Sequence, residues 1–131
     1  MDTTATINAC DAKLQKLGIS ALTPVERTIA LASIANFEFE MGDVGSFFHN
    51  SASKYSAQII EALLALGATT EAAAIRRGRD LLRANSWETL VVSGAFEPIT
   101  ALYRSGEQDL FTRLSRYVEA HAAELNVQGI T

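Results

Sequence analysis

Apolar residues recur along this chain at intervals of three and four, the period of one face of an α-helix. The clearest run opens at Thr23-Pro24-Val25-Glu26. Thr23 can accept a backbone N–H, Glu26 can reach back to the cap, and Pro24 takes the first helical position, which makes a capping box. The pattern predicts a helix from Pro24 to about Met41, with Val25, Ile29, Leu31, Ile34, Phe37, Phe39 and Met41 as its apolar positions. These fall on more than one face, so this helix is expected to be central. Residues 5 to 17 predict a shorter helix ahead of it, with Leu14 and Leu17 facing inward and a left-handed stop at Gly18.

Beyond it, Tyr55, Ile59, Ile60, Leu63 and Leu64 predict a helix from Lys54 to Leu66, ended by Gly67. The stretch "TTEAAAIRRGRDLLRA" predicts an alanine-rich helix with Ala73, Ile75, Leu81 and Leu82 as its apolar positions. Gly78 either weakens the middle of that helix or marks a close approach. Residues 85 to 97, "NSWETLVVSGAFE", are less regular. "TLVV" would suit a strand, but no second strand is there to pair with it, so a loop with a helical turn is expected. Glu97-Pro98 opens a short helix to about Arg104, and Ser105-Gly106 breaks it. Residues 107 to 125 predict the last helix, with Leu110, Leu114, Tyr117, Val118 and Ala122 on one stripe. No repeat, low-complexity tract or linker interrupts the chain. The expectation is an all-α fold, one compact domain over residues 1–131, built from about five to seven helices.

Composition narrows the function classes. With 48% hydrophobic and 20% charged residues the chain can bury a sizeable core. Its formal net charge of −4 argues against direct nucleic-acid binding, which needs an excess of Lys and Arg. The first 66 residues hold seven acids against four bases, so most of the negative charge lies in that half. One cysteine, Cys10, excludes an intramolecular disulfide and suits a reducing compartment, where it reads as a small buried or half-exposed thiol. No basic and apolar leader opens the chain, and no apolar run approaches the roughly 20 residues that span a bilayer. A cytoplasmic protein without membrane contact is expected.

The segment "FEFEMGDVGSFFHNS", residues 37 to 51, departs from its helical surroundings. Ser33, Asn36 and Glu40 lie three to four apart on one side of the preceding helix, and Asp43 follows its end. Glu40, Asp43 and His49 combine carboxylate and imidazole, which suits a divalent metal, but their spacing matches no metal motif. A solvated acidic corner is the plainer reading. Ser46 and His49 are three apart, yet the Gly-x-Ser-x-Gly elbow of a nucleophile is missing. The adjacent Phe47 and Phe48 suggest core anchoring, with Asn50 or Ser51 capping the turn. Elsewhere, His121 reads as a surface or interface residue. Arg76, Arg77, Arg79 and Arg83 give one helix a basic face on which Asp80 can pair with Arg76 or Arg83. Without interleaved aromatics, that face reads as solvated or as a subunit contact.

The order "LTPVER", "FEFEMGDVGSFFHNS", "IIEALLALGATTEAA" and "FEPITALYR…LSRYVEAH" resembles the DNA mimic protein nineteen-like family, bacterial proteins of a domain of unknown function, over roughly residues 22 to 122. The family hallmark reads Glu, two variable residues, Asn-Gly-Gly-Phe, a variable residue, Gln, two aromatics, a variable residue, Asn. Glu38, Gly42, Phe47, Phe48 and Asn50 match it, and Gly67 matches the family's later Leu–Gly–Ala turn. Met41, Asp43, Val44 and Ser46 stand where the family has Asn, Gly, Phe and Gln. The resemblance implies a small helical fold, a homodimer, and occupation of a DNA-binding protein by carboxylates spaced like phosphates.

The expected function is therefore a non-enzymatic protein-interaction domain, of the DNA-mimic type, that binds a DNA-binding protein through an acidic face of Glu26, Glu38, Glu40 and Asp43. No catalytic residue, cofactor or metal is assigned. The alternatives are an immunity-type protein that neutralises a toxin, or a metal-dependent enzyme using His49, Asp43 and Glu40.

Overall fold

The capping box forms. Thr23 Oγ1 accepts the Glu26 N–H at 3.2 Å, and Glu26 Oε1 accepts the Thr23 N–H at 2.9 Å. In the computed structural model, which describes residues 2–125 without the side chains of 51 and 52, these bonds start α2 (Pro24–Met41). Ahead of it runs α1 (Thr3–Leu17), capped by Asp2 and ended at Gly18, whose φ of 86° favours glycine. After it come α3 (Val44–His49), α4 (Ser56–Ala65), α5 (Thr69–Ala84), α6 (Trp87–Ser93), α7 (Glu97–Arg104) and α8 (Leu110–Ala120). Short 3-10 turns occupy Ile19–Ala21, Ser51–Tyr55 and Ala122–Glu124. The fold is all-α, and no strand occurs among the described residues. None of the described helices is long and apolar enough to cross a membrane.

α2 is the axis of the fold. It packs against α1, α4 and α8, while α4, α5 and α7 form a second layer on the far side. Its middle residues Ile29, Ala30, Leu31, Ala32 and Ala35 are all buried, as the spread of apolar positions over several faces predicts. Its last turn emerges from the core, and Phe37 and Met41 are 61% and 74% exposed. α4 ends in a Schellman motif: the Ala68 N–H donates to Leu63 O at 2.8 Å and the Gly67 N–H to Leu64 O at 3.0 Å, with Gly67 at φ 78°.

Four expectations need correction. Residues 87–93 form a full helix rather than a loop with one turn. Ser86 Oγ accepts the Thr89 N–H at 3.2 Å to start it, and Gly94 ends it at φ 74°. So short a helix is unstable alone. It is held by buried Leu90 and by Trp87, whose Nε1–H donates to Gly45 O at 2.8 Å. The last helix is α8 followed by a 3-10 turn, so Ala122 leaves the buried stripe of Leu110, Leu114 and Val118. Leu17 is exposed, because it lies on the last turn of α1 past the stretch its neighbours cover. On α5 the buried positions are Glu71, Ala72, Ala74, Ile75 and Gly78, and Ala73 faces out.

Gly78 marks a close approach. A Cβ there would lie 2.4 Å from Cε2 of Phe48. The Phe48 ring is itself fixed, edge-on to Phe47 at 5.0 Å and stacked on Phe96 at 6.1 Å. In an open helix Gly→Ala would gain about 1 kcal/mol. Here overpacking outweighs that gain, and Gly78→Ala is expected to lose about 1–3 kcal/mol in urea denaturation. A stabilised variant would show that the ring moves freely.

Candidate functional site

The corner after α2 is clamped to the rest of the fold by its own backbone. Gly42 O accepts Arg104 Nη2 at 2.8 Å, the Val44 N–H donates to Thr100 Oγ1 at 3.1 Å, and Gly45 O accepts Trp87 Nε1 at 2.8 Å. Asp43 Oδ1 accepts the Ser46 N–H at 2.8 Å, which starts α3. That helix drives Phe47 into the core, stacked on Phe39 at 5.5 Å. Asn50 Nδ2 donates to Glu38 Oε2 at 2.8 Å, tying the end of α3 back to α2. The Asn50 N–H closes α3 by donating to Ser46 O and Phe47 O. The side chain of Ser51, the alternative cap, lies outside the described residues. Every hallmark residue thus contributes to the structure. Glu38 and Asn50 bond to each other, Gly42 receives Arg104, Phe47 and Phe48 pack, and Gly67 ends α4.

Glu38 and Glu40 stand in the last turn of α2, two apart and therefore on different sides of it, and Asp43 follows the helix end. Glu40 and Asp43 are exposed and Glu38 is half-buried. Glu26 does not join them. It sits fourteen positions before Glu40, about 21 Å along the helix axis at 1.5 Å per residue. It is fully buried, and Lys13 Nζ donates to its two carboxylate oxygens at 2.9 and 3.1 Å. The expected acidic face therefore loses Glu26, which stabilises α1 against α2 instead. Burial alone would raise its carboxyl, but the Thr23 N–H, the Lys13 ammonium and its charge outweigh burial and hold Glu26 below the usual range.

His49 does not complete a metal site with Glu40 and Asp43. Among the described residues no three His, Cys, Asp or Glu side chains gather in a metal-holding group. The His49 ring lies 4.3 Å from that of Trp87, Asp43 is occupied as the cap of α3, and Glu40 Oε1 accepts Asn36 Nδ2 at 3.4 Å. Ser46 and His49 share no hydrogen bond among the described residues. His121 sits at the end of α8, its ring against Tyr117 at 4.1 Å and its Nδ1 on Glu124. On α5, Asp80 pairs with Arg83 at 3.5 Å, an exposed contact of little energetic weight. Cys10 is buried, and burial, with the charges of Glu26 and Asp11, pushes its thiol up to about 12, which makes it inert.

A carboxylate that its position in the sequence did not mark also faces this region. Asp11 on α1 accepts Ser33 Oγ at 2.9 Å. Burial pushes its carboxyl up to about 6, against the opposing effect of the Ser33 hydroxyl. With Glu38, Glu40 and Phe37 it lines a groove of about 730 Å³ between α1, α2 and α8, in which Lys54 is the one lysine. Its signal in the sequence was an acid one position after Cys10, on the inward side of α1.

Fold and corner together define a small helical domain whose identifying feature is an acidic turn braced by aromatic rings. The family profile described as DMP19-like protein matches residues 20–121. The chain belongs to the DMP19-like family. No curated protein and no solved structure matches it.

Proposed function

We propose that this chain is a non-enzymatic interaction domain that binds a basic DNA-binding protein through Glu38, Glu40 and Asp43. The observation that carries this reading is the last turn of α2. A helix C-terminus holds partial negative charge and favours cations. This one carries Glu38 and Glu40 and no basic residue. The fold gains little from Glu40, whose one polar contact among the described residues is the 3.4 Å bond from Asn36. Exposed Phe37 and Met41 stand among these acids, and aromatic residues and Met are enriched where proteins meet. Family membership supports the same direction, since a DNA mimic must present carboxylates where phosphates would be.

The combined variant Glu38→Gln, Glu40→Gln, Asp43→Asn tests it, because each replacement keeps the acceptors that serve Asn50, Asn36 and the α3 cap. A DNA-binding protein captured from the native cell should bind wild type in a salt-sensitive way and the variant about tenfold or more weakly, measured by calorimetry. Equal binding would sink the reading. A captured toxin in place of a DNA-binding protein would favour the immunity alternative.

A further inference from the structure

Two glutamates of this protein are buried, and they differ in one respect. Glu26 has Lys13 and the Thr23 N–H. Glu71, in the first turn of α5, is 4% exposed, and among the described residues it makes no hydrogen bond or ion pair. A carboxylate withdrawn from water without a partner is costly. Beside it lies Tyr103, also buried, whose hydroxyl has no partner either. Burial, reinforced by the charge of Glu71, pushes that phenol up, so it stays neutral and can accept or donate. The Tyr103 ring stacks on Phe39 at 3.7 Å.

Glu71 and Tyr103 both line one cavity of about 210 Å³, with Glu40 and Asp109, although the Tyr103 hydroxyl itself is closed off from solvent. Its single cationic lining residue, Arg104, donates Nη2 to Gly42 O, away from Glu71. The volume is below the roughly 300–1,000 Å³ of small-molecule sites and suits one side chain. The carboxylates do not gather tightly enough for a metal ion. A planar fork meets the site better: two N–H groups on the Glu71 oxygens and the guanidinium plane against an aromatic wall. Gly106 packs directly on the carboxylate and holds it in place, since a Cβ there would lie 2.6 Å from Glu71 Oε2.

We infer that this cavity, formed by Glu71, Tyr103, Phe39 and Gly106, receives one arginine side chain of a partner protein. The inference rests on the reading that the partner is basic, and it adds where that partner is anchored.

The probe is acetyl-Gly-Arg-Gly-amide, titrated at constant ionic strength and followed by the amide resonances of Tyr103 and Gly106. Saturable shifts are expected in wild type, with binding about tenfold weaker in Glu71→Gln and for the lysine peptide. Glu71→Gln should melt at or above the wild-type temperature, because it removes an unpaired buried charge. If that variant fails to fold, Tyr103→Leu, which removes the ring that the guanidinium plane lies against, should weaken the peptide severalfold. Unsaturated shifts, or equal binding by the variant, overturn the inference. Tighter binding of guanidinium chloride than of the peptide overturns the side-chain assignment in favour of a free cation. Peptide binding retained by the variant Glu38→Gln, Asp43→Asn, which leaves the cavity-lining Glu40 in place, supports a pocket separate from the corner. Failure of the pocket and failure of the acidic corner are therefore read in different experiments.

Discussion

Lys13→Met should destabilise the protein by about 3–5 kcal/mol at pH 7, the usual effect of leaving a buried charge without its partner. Lys13 reaches both oxygens of Glu26 from α1, and the Glu26 side chain is fully withdrawn from water. The same carboxylate closes the capping box of α2. One amine therefore supports a helix pair and a helix start. Glu26 titrates below its ordinary 4.5 in the folded state. Its contribution is thus complete above about 4.5 and is lost as pH falls through the lowered value. In the variant the carboxyl has lost its cation, so acid relieves rather than harms it. The gap between wild type and variant should be widest near neutral pH and narrow below about pH 4.5. Urea titrations at several pH values measure this directly, and a gap that stays constant would refute the pairing. Lys13→Met combined with Glu26→Gln should recover part of the loss, since no buried charge then remains.

Phe47→Ala should cost about 3–5 kcal/mol, the range for removing a fully buried aromatic ring. Phe47 has no exposed surface and touches the rings of Phe39 and Phe48 at 5.5 and 5.0 Å. Its loss would also loosen α3, whose six residues cannot hold a helix alone. The Asp43 cap and the Asn50–Glu38 bond depend on that helix. Partner binding should therefore fall together with stability, read by denaturation and calorimetry on the same samples. A loss below about 1 kcal/mol would mean that the corner repacks, and would place the hallmark's value outside the core.

Much of the helical frame was legible because its signals are local. The Thr23 box and the Gly67 stop rest on bonds spanning at most five residues. The hallmark corner was legible as a structural turn for the same reason, since Asp43 caps α3 three residues on. The Phe47 and Phe48 pair also announced itself as core. α6 was not legible. Its cap and stop are ordinary, but its stability comes from Trp87 reaching Gly45, 42 residues earlier.

The candidate sites divide along the same line. Charge and spacing in the sequence marked Glu38, Glu40 and Asp43 as an acidic corner, and the family match followed from the order of its segments. They also placed Glu26 there, because a capping residue and a surface acid look alike in a sequence. Packing of α1 onto α2 brings Lys13 to Glu26 and removes it from that face. Packing of α5 beside α7 leaves Glu71 buried with no such cation. The sequence by itself determined where α2 begins and where α1 and α4 stop, since those backbone groups are capped by near neighbours. Only the tertiary structure decided which carboxylates are neutralised, because a buried charge answers to whatever residue folding brings within reach.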